Sequence, residues 1–151
     1  MAGGNFLVPV TPTVQAVQYS ASMCMGGLLT LPLGVSGIVT KILLASAGGD
    51  TVAKVIYLFW QNPVNSIFVD KTAITLATAD LPKLLCSPYT ITPSVPQGAT
   101  ASVGEAANLT ENYGFGLAGG NLYAAIVATA NDTPGSTTDL VLSFGGILDY
   151  P

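Results

Sequence analysis

Apolar and polar residues alternate with a period of two through most of the chain, which is the pattern of strands with two distinct faces. Residues 13–21, TVQAVQYSA, set Gln15, Val17 and Tyr19 against Val14, Ala16 and Gln18, and GLLTL before Pro32 predicts a second short strand. GIVTKILLASAGGDTVAKVIYLFWQN, residues 37–62, presents two extended runs around a Gly-Gly-Asp turn, the pattern of a hairpin. In its second run Val52, Lys54, Ile56, Leu58 and Trp60 alternate with Ala53, Val55, Tyr57 and Phe59. Both sets are largely apolar, so this strand is expected to be covered on both faces, by a second sheet or by a neighbour.

After Asn62-Pro63 the segment SIFVDKTAITL resumes an extended pattern. TADLPKLLC, residues 78–86, predicts one short helix near 79–85, with Thr78 as cap, Asp80 near the positive dipole end and Pro82 tolerated because it comes early. NLYAAIVATA, the turn NDTPGST and TDLVLSFGGILDY predict a second hairpin. Many short strands and one stub of helix predict an all-β fold, a β-sandwich or jelly-roll-like barrel. Residues 1–12 differ: NFLVPVTP is apolar but interrupted by Pro9 and Pro12, which lack donors. They are expected to form an extended N-terminal arm on another surface, with a single β-domain over 13–151.

Composition narrows the functional classes. Charged residues make up 8% of the 151, where ordinary domains carry about 25%, so little of the surface is ionised. Four lysines, no Arg and a net charge of −4 offer no cationic cluster for phosphates, so nucleic acid is not an expected partner. The absence of His removes the usual general base and the commonest neutral metal ligand. The N-terminal residues lack the charged and apolar regions of a secretory signal, which makes synthesis in the cytoplasm the expectation. Residues 26–47 are apolar enough to suggest a membrane span, but Pro32, the glycines, Lys41 and the β-branched content argue for strands, and no membrane association is expected.

No residue set suggests chemistry. Glu105 with Glu111, or Asp132 with Asp139, are the carboxylate pairs that might act as acid and base, and each sits in or beside an expected turn, where such residues cap and solvate. GFGLAGG lacks the GK[ST] of a phosphate loop, and GEAANLTENYGFG lacks the ligand order of a calcium loop. With no secretory signal expected, the sequons at Asn108 and Asn131 are read as chance matches. Cys24 and Cys86 lack CxxC spacing and are expected to be buried free thiols; Met23 and Met25 read as core filler. No catalytic residue, metal or cofactor is expected.

The stretch before Lys41 contains no charged residue, and further gaps run over 84–104 and 112–131. Neutral Thr- and Ser-rich faces can be solvated, but the proline-bearing arm and the two-faced strand favour burial in an assembly, since charge is the common guard against association. Residues 55–86, VIYLFWQNPVNSIFVDKTAITLATADLPKLLC, resemble a pattern found in small structural proteins of tailed bacteriophages: a strand ending in LF, an Asn-Pro turn, FxDKxA, then DLxKLL. Trp60 and Gln61 depart from it, and it covers about a fifth of the chain. The resemblance implies a capsid decoration or cement protein: a homo-oligomer, with a trimer expected, that binds the major capsid protein on the outside of the virion shell and clamps neighbouring capsomers. Interface candidates are Phe6, Leu7, Val8 and Pro9 of the arm and the aromatics Tyr57, Phe59 and Trp60. Tyr113 and Phe115 serve the alternative, a receptor- or carbohydrate-binding module of a tail or fibre, whose loop aromatics would stack on sugars.

Overall fold

The structure, a computed structural model, describes residues 4–32, 36–98, 100–113 and 121–148. Among them are nine strands: β1 Asn5–Val10, β2 Leu29–Pro32, β3 Gly37–Ser46, β4 Lys54–Phe59, β5 Tyr89–Ile91, β6 Val95–Gln97, β7 Ala101–Tyr113, β8 Asn121–Ala128 and β9 Leu140–Leu148. They form two antiparallel sheets, one ordered β1-β9-β3-β7-β6 and the other β2-β8-β4-β5. The molecule is a β-sandwich.

Alternation in the sequence decides which residues enter the space between the sheets. Along β3 and β9 every second residue is buried, supplying Val39, Ile42, Leu44, Leu140, Leu142 and Phe144. Ile56 and Leu58 of β4 and Leu122, Ala124 and Ile126 of β8 meet them from the opposite sheet. Each large buried side chain contributes about 1.5–3 kcal/mol relative to exposure. A bulge between Val39 and Lys41 lets β3 resume its alternation after Thr40.

Both expected hairpins are instead crossings between sheets. β3 lies in the five-stranded sheet and β4 in the four-stranded one; β8 and β9 are likewise divided. The reason lies at the turns. Asp139 accepts from Gly48 N at 2.6 Å and from Ser46 Oγ at 2.9 Å, so the Gly-Gly turn is fastened to the β8–β9 connection rather than folded back on its own strand. β6 and β7 form a local hairpin, in register from Val95–Val103 to Gln97–Ala101.

Four other expectations change. Glu105 and Glu111, expected in or beside a turn, lie within strand β7. The expected arm includes the edge strand β1, paired with β9 from Asn5–Ile147 to Val10–Leu142, so the surface on which residues 5–10 lie is the chain's own sheet. Pro9 is accommodated because β1 is an edge. Residues 13–21 and 66–76 are irregular, held by isolated bridges such as Tyr19–Asp132 and Ile67–Thr75. The short helix is a 3-10 helix, Thr78–Lys83, entered at Ala77 without a side-chain cap. Asp80 does not serve its dipole, because its carboxylate is taken by residues 65, 66 and 83.

Candidate interaction surface

The two sheets treat their outer faces differently. On the four-stranded sheet Phe59 and Ala125, with half-buried Tyr57 and Tyr123, lie beneath a cover built from the chain itself, which brings down Phe68, Ile74, Leu76 and Leu84. Phe59 meets Phe68 edge-on at 5.5 Å between ring centres and stacks with Tyr57 at 6.4 Å, geometries that add about 0.5–1.5 kcal/mol to burial. Trp60 Nε1 donates to Pro82 O at 3.0 Å, and Lys83 Nζ to Asn62 O at 3.0 Å, tying the two ends of the cover together.

One carboxylate pins that cover. Asp80 is fully buried and accepts from Asn65 N at 2.9 Å, Ser66 Oγ at 2.7 Å and Lys83 Nζ at 2.7 Å. Burial alone would raise its carboxyl, but the Lys83 ammonium and the Ser66 and Asn65 donors outweigh burial and hold it well below the usual carboxylate range. Asp70 fastens the start of the chain in the same manner, accepting from Tyr19 OH and Gly26 N, each at 2.7 Å, and from Gln15 Nε2 at 2.9 Å. Of the acids expected to cap and solvate turns, Asp132 and Asp139 are likewise buried, while Glu105 stays on the surface.

The five-stranded sheet has no comparable cover among the described residues. Its pairing register aligns the outward side chains in rows. One row runs Val95, Val103, Ala45, Val141, and the next Glu105, Leu43, Ser143, Pro9. A third runs Ala107, Lys41, Gly145, Leu7, and a fourth Ile38, Ile147, Asn5. All are at least partly exposed, with Leu7 at 69%, Val95 at 54% and Ile147 at 44%. The only charges in these rows are Lys41 and Glu105, 3.3 Å apart. A two-sided sheet normally solvates its outer face with polar residues; this one is mostly apolar.

The sequence candidates divide between the two faces. Leu7 and Pro9 point outward on the uncovered sheet, while Phe6 and Val8 turn inward and pack against the core. Phe59 has no exposed surface and Tyr57 is half-buried beside it, so these two hold the cover rather than offering contact anchors. Their strand is apolar on both faces because the core lies on one side and the chain's own cover on the other. Trp60 is half-buried, with its indole engaged by Pro82. Tyr113 ends β7, and Phe115 lies outside the described residues. Sequence reading missed Ile38, Leu43, Val103, Val141 and Ile147; the alternation of β3 and β9 was the signal that could have marked them.

The cysteines are free. Cys24 packs with Phe59 and Phe68 beneath the cover and Cys86 against the main core, and burial, foremost, pushes each thiol up to about 11, which leaves both protonated and unreactive near neutrality. Of the lysines, Lys41 pairs with Glu105, Lys83 with Asp80, and Lys54 is enclosed between Asp50 and Asp132. None of the described helices is long and apolar enough to cross a membrane.

No family model matches the chain, and no curated protein matches it. Among solved structures it is similar to the globular domain of zebrafish complement 1qA protein, at 17% identity and a TM-score of 0.39, over 98% of each chain. A likeness of that order carries no argument about function.

Proposed function

We propose that this protein is a structural, non-enzymatic assembly subunit that self-associates through the outer face of its five-stranded sheet and, as an oligomer, decorates the outside of a virion shell. The supporting observation is the contrast between the sheets: the chain covers one apolar outer face with its own residues, while among the described residues none covers the other, around Leu7, Leu43, Val103 and Ile147. Burial of that face would be worth about 25 cal/mol per Å² before ordering costs. Its single ion pair leaves it neutral, so copies are not repelled.

The finer reading, a cement protein that binds the major capsid protein as a trimer, draws support from the resemblance of residues 55–86. That segment contains the exposed apolar residues Val64 (70%), Val69 (58%), Ile67 and Leu81. They sit on the cover of the other sheet, leaving one surface for self-association and another for the shell. An oligomer touching several shell subunits would multiply weak contacts through effective concentration.

Light scattering behind a sizing column tests the first part: a stable oligomer in detergent-free buffer is expected, and a monomer at micromolar concentration would sink it. Cosedimentation with capsid shells tests the second. Loss of shell binding in Val64→Asp, with the oligomer intact, is the expected result.

A further inference from the structure

The connection between β3 and β4 directs one charged side chain inward. Lys54 opens β4 on the same face as Ile56 and Leu58 and has no exposed surface. Its Nζ contacts Asp50 Oδ2, donates to Val52 O at 2.8 Å and lies 2.8 Å from Asp132 Oδ2. Asp132, in the β8–β9 connection, is 4% exposed, and among the described residues the Lys54 ammonium is what its Oδ2 meets. Its backbone is fixed: Tyr19 N donates to Asp132 O at 2.7 Å, and Asp132 N to Tyr19 O at 3.0 Å. Asp50 is held separately, its Oδ1 accepting from Val52 N at 2.8 Å.

Two carboxyl groups face one amine in a buried site, leaving one negative charge in excess. Burial pushes the Asp132 carboxyl up toward its neutral form, and Asp50 adds to that shift, while Lys54 opposes it. Desolvating a buried ion pair is costly, so a proton transfer within the cluster that leaves an amine beside a neutral acid removes two charges from the interior. This arrangement supplies a nucleophile, an electrophile and a proton acceptor within hydrogen-bond reach.

We propose that Lys54 and Asp132 condense into an intramolecular amide, with Asp50 carrying the proton. A proton passes from the Lys54 ammonium to the Asp132 carboxylate, the freed Nζ lone pair attacks Asp132 Cγ, and the further proton displaced from nitrogen passes to Asp50. The tetrahedral adduct then collapses, Asp50 returns the proton to the departing hydroxyl, and water leaves. One C–N bond forms, one C–O bond breaks, and no oxidant or cofactor is required. The product is a covalent tie from β4 to the β8–β9 connection in a chain whose cysteines are free.

Digestion of the purified full chain tests this directly. With four lysines and no arginine, trypsin cuts only after Lys41, Lys54, Lys71 and Lys83. Amide formation blocks the cut at Lys54, so residues 42–71 should emerge joined to 84–151, lighter than the sum of the two by one water. Separate peptides 42–54 and 55–71 would overturn the proposal. A folded Asp50→Asn chain should give the unbranched peptides; a branched product from it would overturn the role of Asp50. Lys54→Met, which removes the nucleophile, should also digest without a branch, and a branch in that variant would overturn the assignment of Lys54.

Discussion

Lys41 Nζ stands 3.3 Å from Glu105 Oε2, diagonally across β3 and β7, in the middle of a sheet face whose aligned rows hold no other charge. Both side chains are about half exposed, so the pair adds only about 0–1 kcal/mol to the fold. Its larger effect is to cancel two charges on a surface otherwise suited to association. Lys41→Glu places two like charges there. Thermal unfolding of the dissociated chain should be nearly unchanged, while light scattering should show a shift toward monomer. An unchanged native mass would remove this face from the assembly.

Leu7 and Phe144 should separate assembly from folding. Leu7 is 69% exposed on edge strand β1, and Phe144 is fully buried. Leu7→Asp is expected to lower the native mass with little loss of monomer stability. Phe144→Ala should cost about 3–5 kcal/mol in denaturant unfolding, the usual range for a buried Phe. If Leu7→Asp unfolds the chain instead, β1 matters to the fold rather than to contact between copies.

The cover over the four-stranded sheet should respond to acid through Asp80. A carboxyl held below its unfolded value stabilises the fold above that value, near pH 3.9 for Asp, and loses its contribution as pH falls further. Asp80→Asn should therefore be less stable than the parent at pH 7, with the gap narrowing as the pH is lowered from 4 toward 2. Urea midpoints across that range measure it. A gap independent of pH would mean that the donors around Asp80 are held by the cover without the charge.

Gly104 is required for closeness of backbone rather than for an unusual dihedral. A Cβ there would fall 2.1 Å from Thr92 O, in the link between β5 and β6. Because backbone must move to admit it, Gly104→Ala should cost about 1–3 kcal/mol, read as a lower thermal midpoint. A midpoint equal to the parent's would show that the link yields freely.

β3, β4 and β9 were legible because alternation is local and can be read from their own residues; β7, the longest strand, was not, because its Gly, Ala, Asn and Glu positions carry no apolar alternation. The crossings were not. A Gly-Gly-Asp turn reads the same whether the chain returns to its own sheet or passes to the opposite one, and the choice rests on Asp139, remote in sequence from Ser46 and Gly48. Lys54 was visible as a member of the Ile56 and Leu58 face, but its burial depends on Asp132, equally remote. Tyr57 and Phe59 could be recognised as covered, while nothing in their own strand said that residues after Pro63 supply the cover. The outer face of the five-stranded sheet was hardest, because its apolar rows form only when five separated segments come into register.

That register orders events in time. β9 is the last of the described strands to be synthesised, yet it lies between β1 and β3 and pairs with both. Until residues 140–148 have left the ribosome, Leu7 of β1 and Leu43 of β3 cannot share a surface, and the face proposed for self-association lacks its β9 and β1 rows. A chain interrupted before Leu140 would lack the strand that joins them. Only a chain that includes β9 brings Leu7 and Ile147 onto one surface with Leu43.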